Sequence, residues 1–493
     1  MMLAFEDFLH PQLSASAQAF IRTAYGILLA GTLVMALPQW RRFFVSERWG
    51  GYAQSSRDVD ALHNRVVYPL IAALWLACAV LIACGRWSVW AALVNLILCR
   101  YFFVRMRWKG VLRGMGAPGF MTYWLAAAVF LLEYTLHYAP HLQPVALLVL
   151  QVDFALIILS AGIYKWTAGY PRNHGMEMGL VNPQWGYWWR SYLRLPPSHW
   201  LFKTLNHLAW TTEVAAVLLM LIPATRFLGG LLIIISFAFI ATQIRLGFLC
   251  EMVMVCGLLF FGPGSAGDHW LALIISPAAS PVTTADGLWP AVNMILAAAL
   301  WGYLLLLPFA HAGLFYNFYA RRRLPLTLQK ILEAYTNFFG IIIWRVFSVD
   351  VVNFFIRIYR RERAGGERAL VSHYGLKPPG LRYNHVGESI TVTSLFTTLK
   401  YHPSNSALFT ERLLRYARTI ACPAGSVLDF EYLSICKTDD RFEFVAVAEY
   451  TVDPAAGTVD ERILSDAVSV RAAHAASPVF EGARPGSYAP LKG

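Results

Sequence analysis

The stretch PVALLVLQVDFALIILSAGIYK (residues 144–165) decides the fold. It carries one acidic side chain, Asp153, and closes on Lys165. At about 1.5 Å per residue a helix of this length reaches roughly 30 Å, the thickness of a bilayer's hydrocarbon core. Comparable apolar runs occupy residues 19–38, 66–84, 88–104, 118–137, 205–223, 227–243, 246–262 and 288–308. The expectation is a polytopic α-helical membrane protein with about nine transmembrane helices, followed by a small α+β soluble domain. Composition agrees: 57% of the 493 residues are hydrophobic, 14% are charged and mean hydropathy is +0.49. Soluble domains average about 25% charged residues, so a soluble globular protein is excluded.

The net charge of +12 is unevenly placed. Residues 1–365 hold 28 Lys and Arg against 15 Asp and Glu, whereas residues 366–493 hold 13 against 14. A basic excess confined to the membrane part points to topology and anionic lipid headgroups, not to nucleic acid. Arginines and lysines concentrate in alternate loops: Arg41, Arg42, Arg48, Arg57 and Arg65, then Arg105, Arg107, Lys109 and Arg113. Lys165, Arg172, Arg190, Arg194 and Lys203 form a third group, and Arg321, Arg322 and Arg323 a fourth. By the positive-inside rule these loops face the cytoplasm, which predicts a multi-pass protein of the cell (inner) membrane with its C-terminal domain cytoplasmic.

The transmembrane domain is expected over residues 1–323. Residues 324–365 are apolar but interrupted by Arg345, Asp350 and Arg357, which predicts an amphipathic helical segment on the membrane surface. Residues 366–475 read as the α+β domain, with a strand at 389–401, a helix at 407–421, and strands at 427–435 and 442–450 joined by a turn at 438–441. Residues 476–493 read as a flexible tail. The seven cysteines show no C-x-x-C spacing and read as small core hydrophobes; no metal site is signalled.

Polar groups concentrate in the 144–165 helix and the loop after it. A carboxylate inside an apolar helix needs a partner or a function, which singles out Asp153 and, in the next helix, Glu213. Tyr164 follows Asp153 on roughly the same helical face. Lys165 reads either as a lysine reaching the membrane surface or as a base held in a dry pocket. Arg172, His174, Glu177, Gln184 and Trp185 offer groups able to meet a polar substrate, or form an aromatic-anchored surface loop. Glu213 paired with Lys165, or with a neighbouring arginine, is the plainer alternative to a proton relay.

In order, the segments AGIYKWTAG (161–169), WGYWW (185–189), TTEVAAVLLMLIPATR (211–226) and RLGFLCEMVMV (245–255) resemble the membrane domain of vitamin K-dependent γ-glutamyl carboxylase. They resemble equally its bacterial relatives, the horizontally transferred transmembrane (HTTM) proteins. The similarity spans roughly residues 15–350. It implies a quinone or quinol of the menaquinone or vitamin K type, with Lys165 acting in oxygenation of the quinol and Glu213 as a weaker match. The chain departs from the carboxylase in its small C-terminal domain and in the cytoplasmic placement that its charges predict. Three functions follow as expectations. The first is a membrane enzyme on a lipid-soluble substrate, with Lys165 as base. The second is a non-catalytic scaffold or assembly subunit whose C-terminal domain docks a protein partner. The third, a proton-coupled transporter, lacks the expected internal repeat.

Overall fold

The structure, a computed structural model, describes residues 2–105, 116–275, 290–320, 324–344, 349–363, 365–371, 386–401 and 405–465. The predicted basic positions Arg107, Lys109, Arg113, Arg321 to Arg323 and Arg345, and the predicted tail, lie outside these residues. The N-terminal part is helical: α1 (Ala15–Ala36), α2 (Val67–Cys84), α3 (Ser88–Cys99), α4 (Gly116–Tyr138), α5 (Gln143–Ala168), α6 (Trp200–Leu221), α7 (Arg226–Gln243), α8 (Leu249–Gly257), α9 (Pro290–Tyr319) and α10 (Leu326–Phe339).

Among the described residues seven helices are long and apolar enough to cross a membrane: α1, α2, α3 with its π-helical continuation to Arg105, α4, α5, α7 and α9. Each of the nine predicted apolar runs is helical over most of its described residues, but two fall short of that standard. Lys203, His207 and Glu213 dilute the apolar character of α6. The apolar helical run that α8 begins, Leu249–Phe260, covers only about 18 Å. Helix α5 is the hub. It packs against α6 on one side and α9 on the other, and 78% of its apolar window is buried, against 11% for α9. Tyr303 of α9 reaches Asp153 of α5, and Tyr319 reaches Thr167, so the two helices run parallel.

The C-terminal part is an antiparallel sheet in the order β2-β1-β3-β4-β5, built from β1 (Phe354–Glu362), β2 (Ala369–Leu370), β3 (Ser426–Lys437), β4 (Phe442–Asp453) and β5 (Thr458–Ile463). The predicted turn joins β3 to β4, with Thr438 and Arg441 bonded across it. Two expectations are corrected. The basic run around Arg357 is not on a membrane-surface helix: it forms strand β1, so the sheet domain begins before residue 366. The period-2 order of Ile356, Arg357, Ile358 places isoleucines on the buried face and the arginine towards solvent. Residues 389–401 are not a strand; Val386–Phe396 is helix α11, and Thr398–Tyr401 a further helical turn. Burial of this segment overrides the low helix propensity of its threonines, and the Thr391 hydroxyl is satisfied inside the helix by the Gly387 carbonyl at 2.7 Å.

Helix α11 and helix α12 (Ser406–Ala417) cover one face of the sheet, with Phe396 against Phe430, Tyr432 and Tyr450. The other face meets the helical part: Phe442 packs on Phe202 and Phe444 on Trp189. Adjacent residues of β1 serve the two sides, Phe354 stacking on Tyr432 and Phe355 meeting Phe444 edge to face.

Candidate functional site

Lys165 sits in the last turn of α5, before Gly169, whose φ of +112° ends the helix in a conformation that suits glycine. One turn earlier, Gly162 lets α6 come close: a side chain at that position would lie 3.0 Å from Val214 and 3.4 Å from the Cβ of Glu213. The close approach delivers Glu213 to Lys165, and Nζ donates a hydrogen bond to Oε1. Both side chains are almost fully buried, at 3% and 4% exposure, so the charges compensate each other inside the bundle. Among the described residues the second carboxylate oxygen, Oε2, accepts no hydrogen bond, and the buried indole Nε1 of Trp210, one turn back on α6, donates none.

Asp153 forms a second centre. It lies twelve residues before Lys165 on the same helix, about 18 Å along its axis. Its Oδ2 accepts hydrogen bonds from Trp124 Nε1 and Tyr303 Oη, both at 2.9 Å. Tyr164 is buried with its ring against Phe318 of α9. The two predicted carboxylates therefore do not converge on one substrate position.

The polar loop after α5 has a different task from the one its composition suggested. Asn182 Nδ2 donates to the carbonyls of Val352 and Phe354 at 2.7 and 2.8 Å, holding the start of β1. Its Oδ1 accepts from the Gln184 backbone, and Gln184 Nε2 donates to the Ser389 carbonyl and Thr393 Oγ1 of α11, both at 2.6 Å. Glu177 is buried: Oε2 accepts from Gly175 N and Asn206 Nδ2, and Oε1 from Lys437 Nζ at the end of β3. Trp185 is buried, and its carbonyl accepts from the Arg245 backbone. Glu177 and Gln184 are thus spent on docking the C-terminal domain, while Arg172 and His174 remain exposed.

A third clasp went unread in the sequence. Arg42, after α1, stacks on Tyr416, donates to Thr419 Oγ1 at 2.9 Å and lies 3.5 Å from Glu388 of α11. Asn206, Lys437, Trp124 and Tyr303 were also missed; each acts through a contact distant in the chain, which no local spacing signals. Among the described residues no group of three or more His, Cys, Asp or Glu side chains is placed to hold a metal ion.

No family profile, curated protein or solved structure matches this chain. The class its structure defines is a largely helical protein with seven helices of membrane-spanning length and apolarity and a docked antiparallel-sheet domain.

Proposed function

We propose that the protein is a membrane-embedded enzyme that moves a proton on a lipid-soluble, quinol-type substrate through the Lys165–Glu213 pair. The observation that carries this reading is the orphaned Glu213 Oε2 beside a buried, charge-compensated lysine. A buried ion pair contributes little to stability, and ionisable groups at bilayer depth mark functional sites by default. Transfer of the Lys165 proton to Glu213 leaves a neutral amine, which takes the proton of a quinol hydroxyl. Trp210 Nε1 supplies a donor for the second oxygen of the ring. Asp153, held by Trp124 and Tyr303, serves as a structural anchor between α4, α5 and α9. The resemblance to the carboxylase family extends the reading to oxygenation of the quinol by O2 and capture of CO2.

The arginine-rich loop at Arg42 clasps the sheet domain, which supports a cytoplasmic placement of that domain in the cell (inner) membrane. In lipid nanodiscs supplied with reduced menaquinone or vitamin K, O2 and labelled CO2, the wild type is expected to form epoxide. Lys165→Ala and Glu213→Gln are expected to form none while retaining a cooperative thermal transition. Equal turnover by wild type and folded Lys165→Ala would end this reading.

A second reading, a membrane assembly subunit that docks a protein partner, draws on one observation: Glu177, Asn182 and Gln184 bind the protein's own C-terminal domain instead of facing a substrate. It expects a stoichiometric partner after mild detergent purification. Isolation as a lone chain that turns over quinol would remove it.

A further inference from the structure

Alongside α12 runs an open cleft of about 510 Å³, lined by Glu47, Ser406, Thr410, Glu411, Arg415 and Arg418. The lining positions recur at helical spacing, so one face of α12 forms a wall and Glu47 stands opposite. Arg415 is the anomaly. Its side chain is 8% exposed and its guanidinium lies over the Tyr52 ring, yet among the described residues buried Nε and Nη1 find no hydrogen-bond acceptor. The two carboxylates near it stop short: Glu47 Oε2 is 4.0 Å and Glu411 Oε1 3.8 Å from Nη1, too far to satisfy a donor. A buried guanidinium with idle donors costs free energy unless a ligand's oxygens meet it.

The lining carries two guanidinium groups, two carboxylates and two hydroxyls. A simple anion would meet the carboxylates unfavourably, and a simple cation the arginines. A ligand bearing both charges satisfies each side. Glu47 opens a single helical turn that ends at Trp49, an indole 40% exposed, six residues after the membrane-length run begun by α1 ends at Phe43. Exposed tryptophans near the ends of spanning helices sit at the headgroup level.

We propose that this cleft binds a zwitterionic phosphate ester, its phosphate on Arg415 and Arg418 and its ammonium on Glu47 and Glu411. The phosphoethanolamine headgroup of a membrane lipid and free phosphoethanolamine share this chemistry. Neither the cleft nor the proposal depends on Lys165.

The test uses the full chain purified in detergent, equilibrated with phosphatidylethanolamine or phosphatidylglycerol and weighed by native mass spectrometry. A parallel arm follows the thermal transition with free phosphoethanolamine. Retention of phosphatidylethanolamine over phosphatidylglycerol by about tenfold is expected, the worth of one charge-assisted contact. Arg418→Gln, an exposed position safe for folding, should lose about tenfold in retention, and Glu47→Gln should erase the preference for the amine lipid. Arg415→Gln should abolish retention wherever it folds. Stabilisation by free phosphoethanolamine without lipid retention assigns the soluble source and supports the site. Equal retention of the two lipids, or unchanged retention in Arg418→Gln without any effect of free phosphoethanolamine, overturns it.

Discussion

The helical bundle and the sheet domain both contain paired charges, and they handle them in opposite ways. In the bundle Lys165 and Glu213 pair with each other at side-chain exposures of only 3% and 4%. On the sheet, Asp429 is buried but accepts from Arg361 Nε at 2.6 Å and Thr451 Oγ1 at 2.8 Å, with Arg368 Nε 3.5 Å away. The guanidinium groups there are 26% and 42% exposed. The same ionic chemistry is therefore an exclusive ion pair in one region and a shared, replaceable arrangement in the other, because the sheet offers a second guanidinium and solvent.

Breaking the exclusive pair should produce the largest effect. Lys165→Met strands a carboxylate among apolar side chains and is expected to cost about 3–5 kcal/mol, read as a fall in the thermal transition. The double variant Lys165→Met with Glu213→Leu should recover most of that loss, since no unpaired charge remains. A double variant as unstable as the single one would show that the two side chains do not compensate each other.

Next comes the joint between the regions. Gln184→Ala removes two hydrogen bonds into α11 and should weaken docking by about 1–3 kcal/mol. Hydrogen exchange over residues 386–396 should quicken while the helices α4 and α5 stay protected. Unchanged exchange there would mean that the remaining contacts, those of Arg42, Asn182 and Glu177 among them, hold the domain without Gln184.

Tyr303→Phe should cost about 1 kcal/mol, because Asp153 keeps its bond from Trp124. The loss should appear as looser packing of α9 in accessibility labelling. At the small end, Arg441 and Glu443 pair on the sheet with side chains 73% and 37% exposed, and Arg441→Ala should change stability by less than about 0.5 kcal/mol. Any larger effect would contradict the contrast between the two regions.

How much of this could be read from the sequence depended on whether the deciding contact was local. Hydropathy over about 20 residues marks a helix within its own stretch, so α1 to α5, α7 and α9 were legible. The alternation in VLDFEYLSI and FEFVAVAEY marked β3 and β4 in the same way. Residues 389–401 misled because valine, isoleucine and threonine favour strands in general, whereas here the segment is buried against a sheet that already has its strands. The strand in FFIRIYRRE was hidden by its apolar start, although Ile356, Arg357 and Ile358 carried the signal. Of the candidate residues, Lys165 with Glu213 was foreseeable as a pair. Glu177 and Gln184 looked like ligand-binding groups because a polar side chain destined for a distant backbone carbonyl has the same composition as one destined for a substrate.

The clasp formed by Asn182 and Gln184 also sets a timetable for biogenesis. Their partners lie 170 to 209 residues further along the chain. At ordinary synthesis rates of about 5–20 residues per second, their amides wait roughly 10–40 s before those partners are made. Throughout that interval the loop after α5 presents unpaired donors to whatever is near. The nascent chain is therefore at its most receptive to chaperones and insertion factors after α5 has been made and before α11 arrives to close the loop.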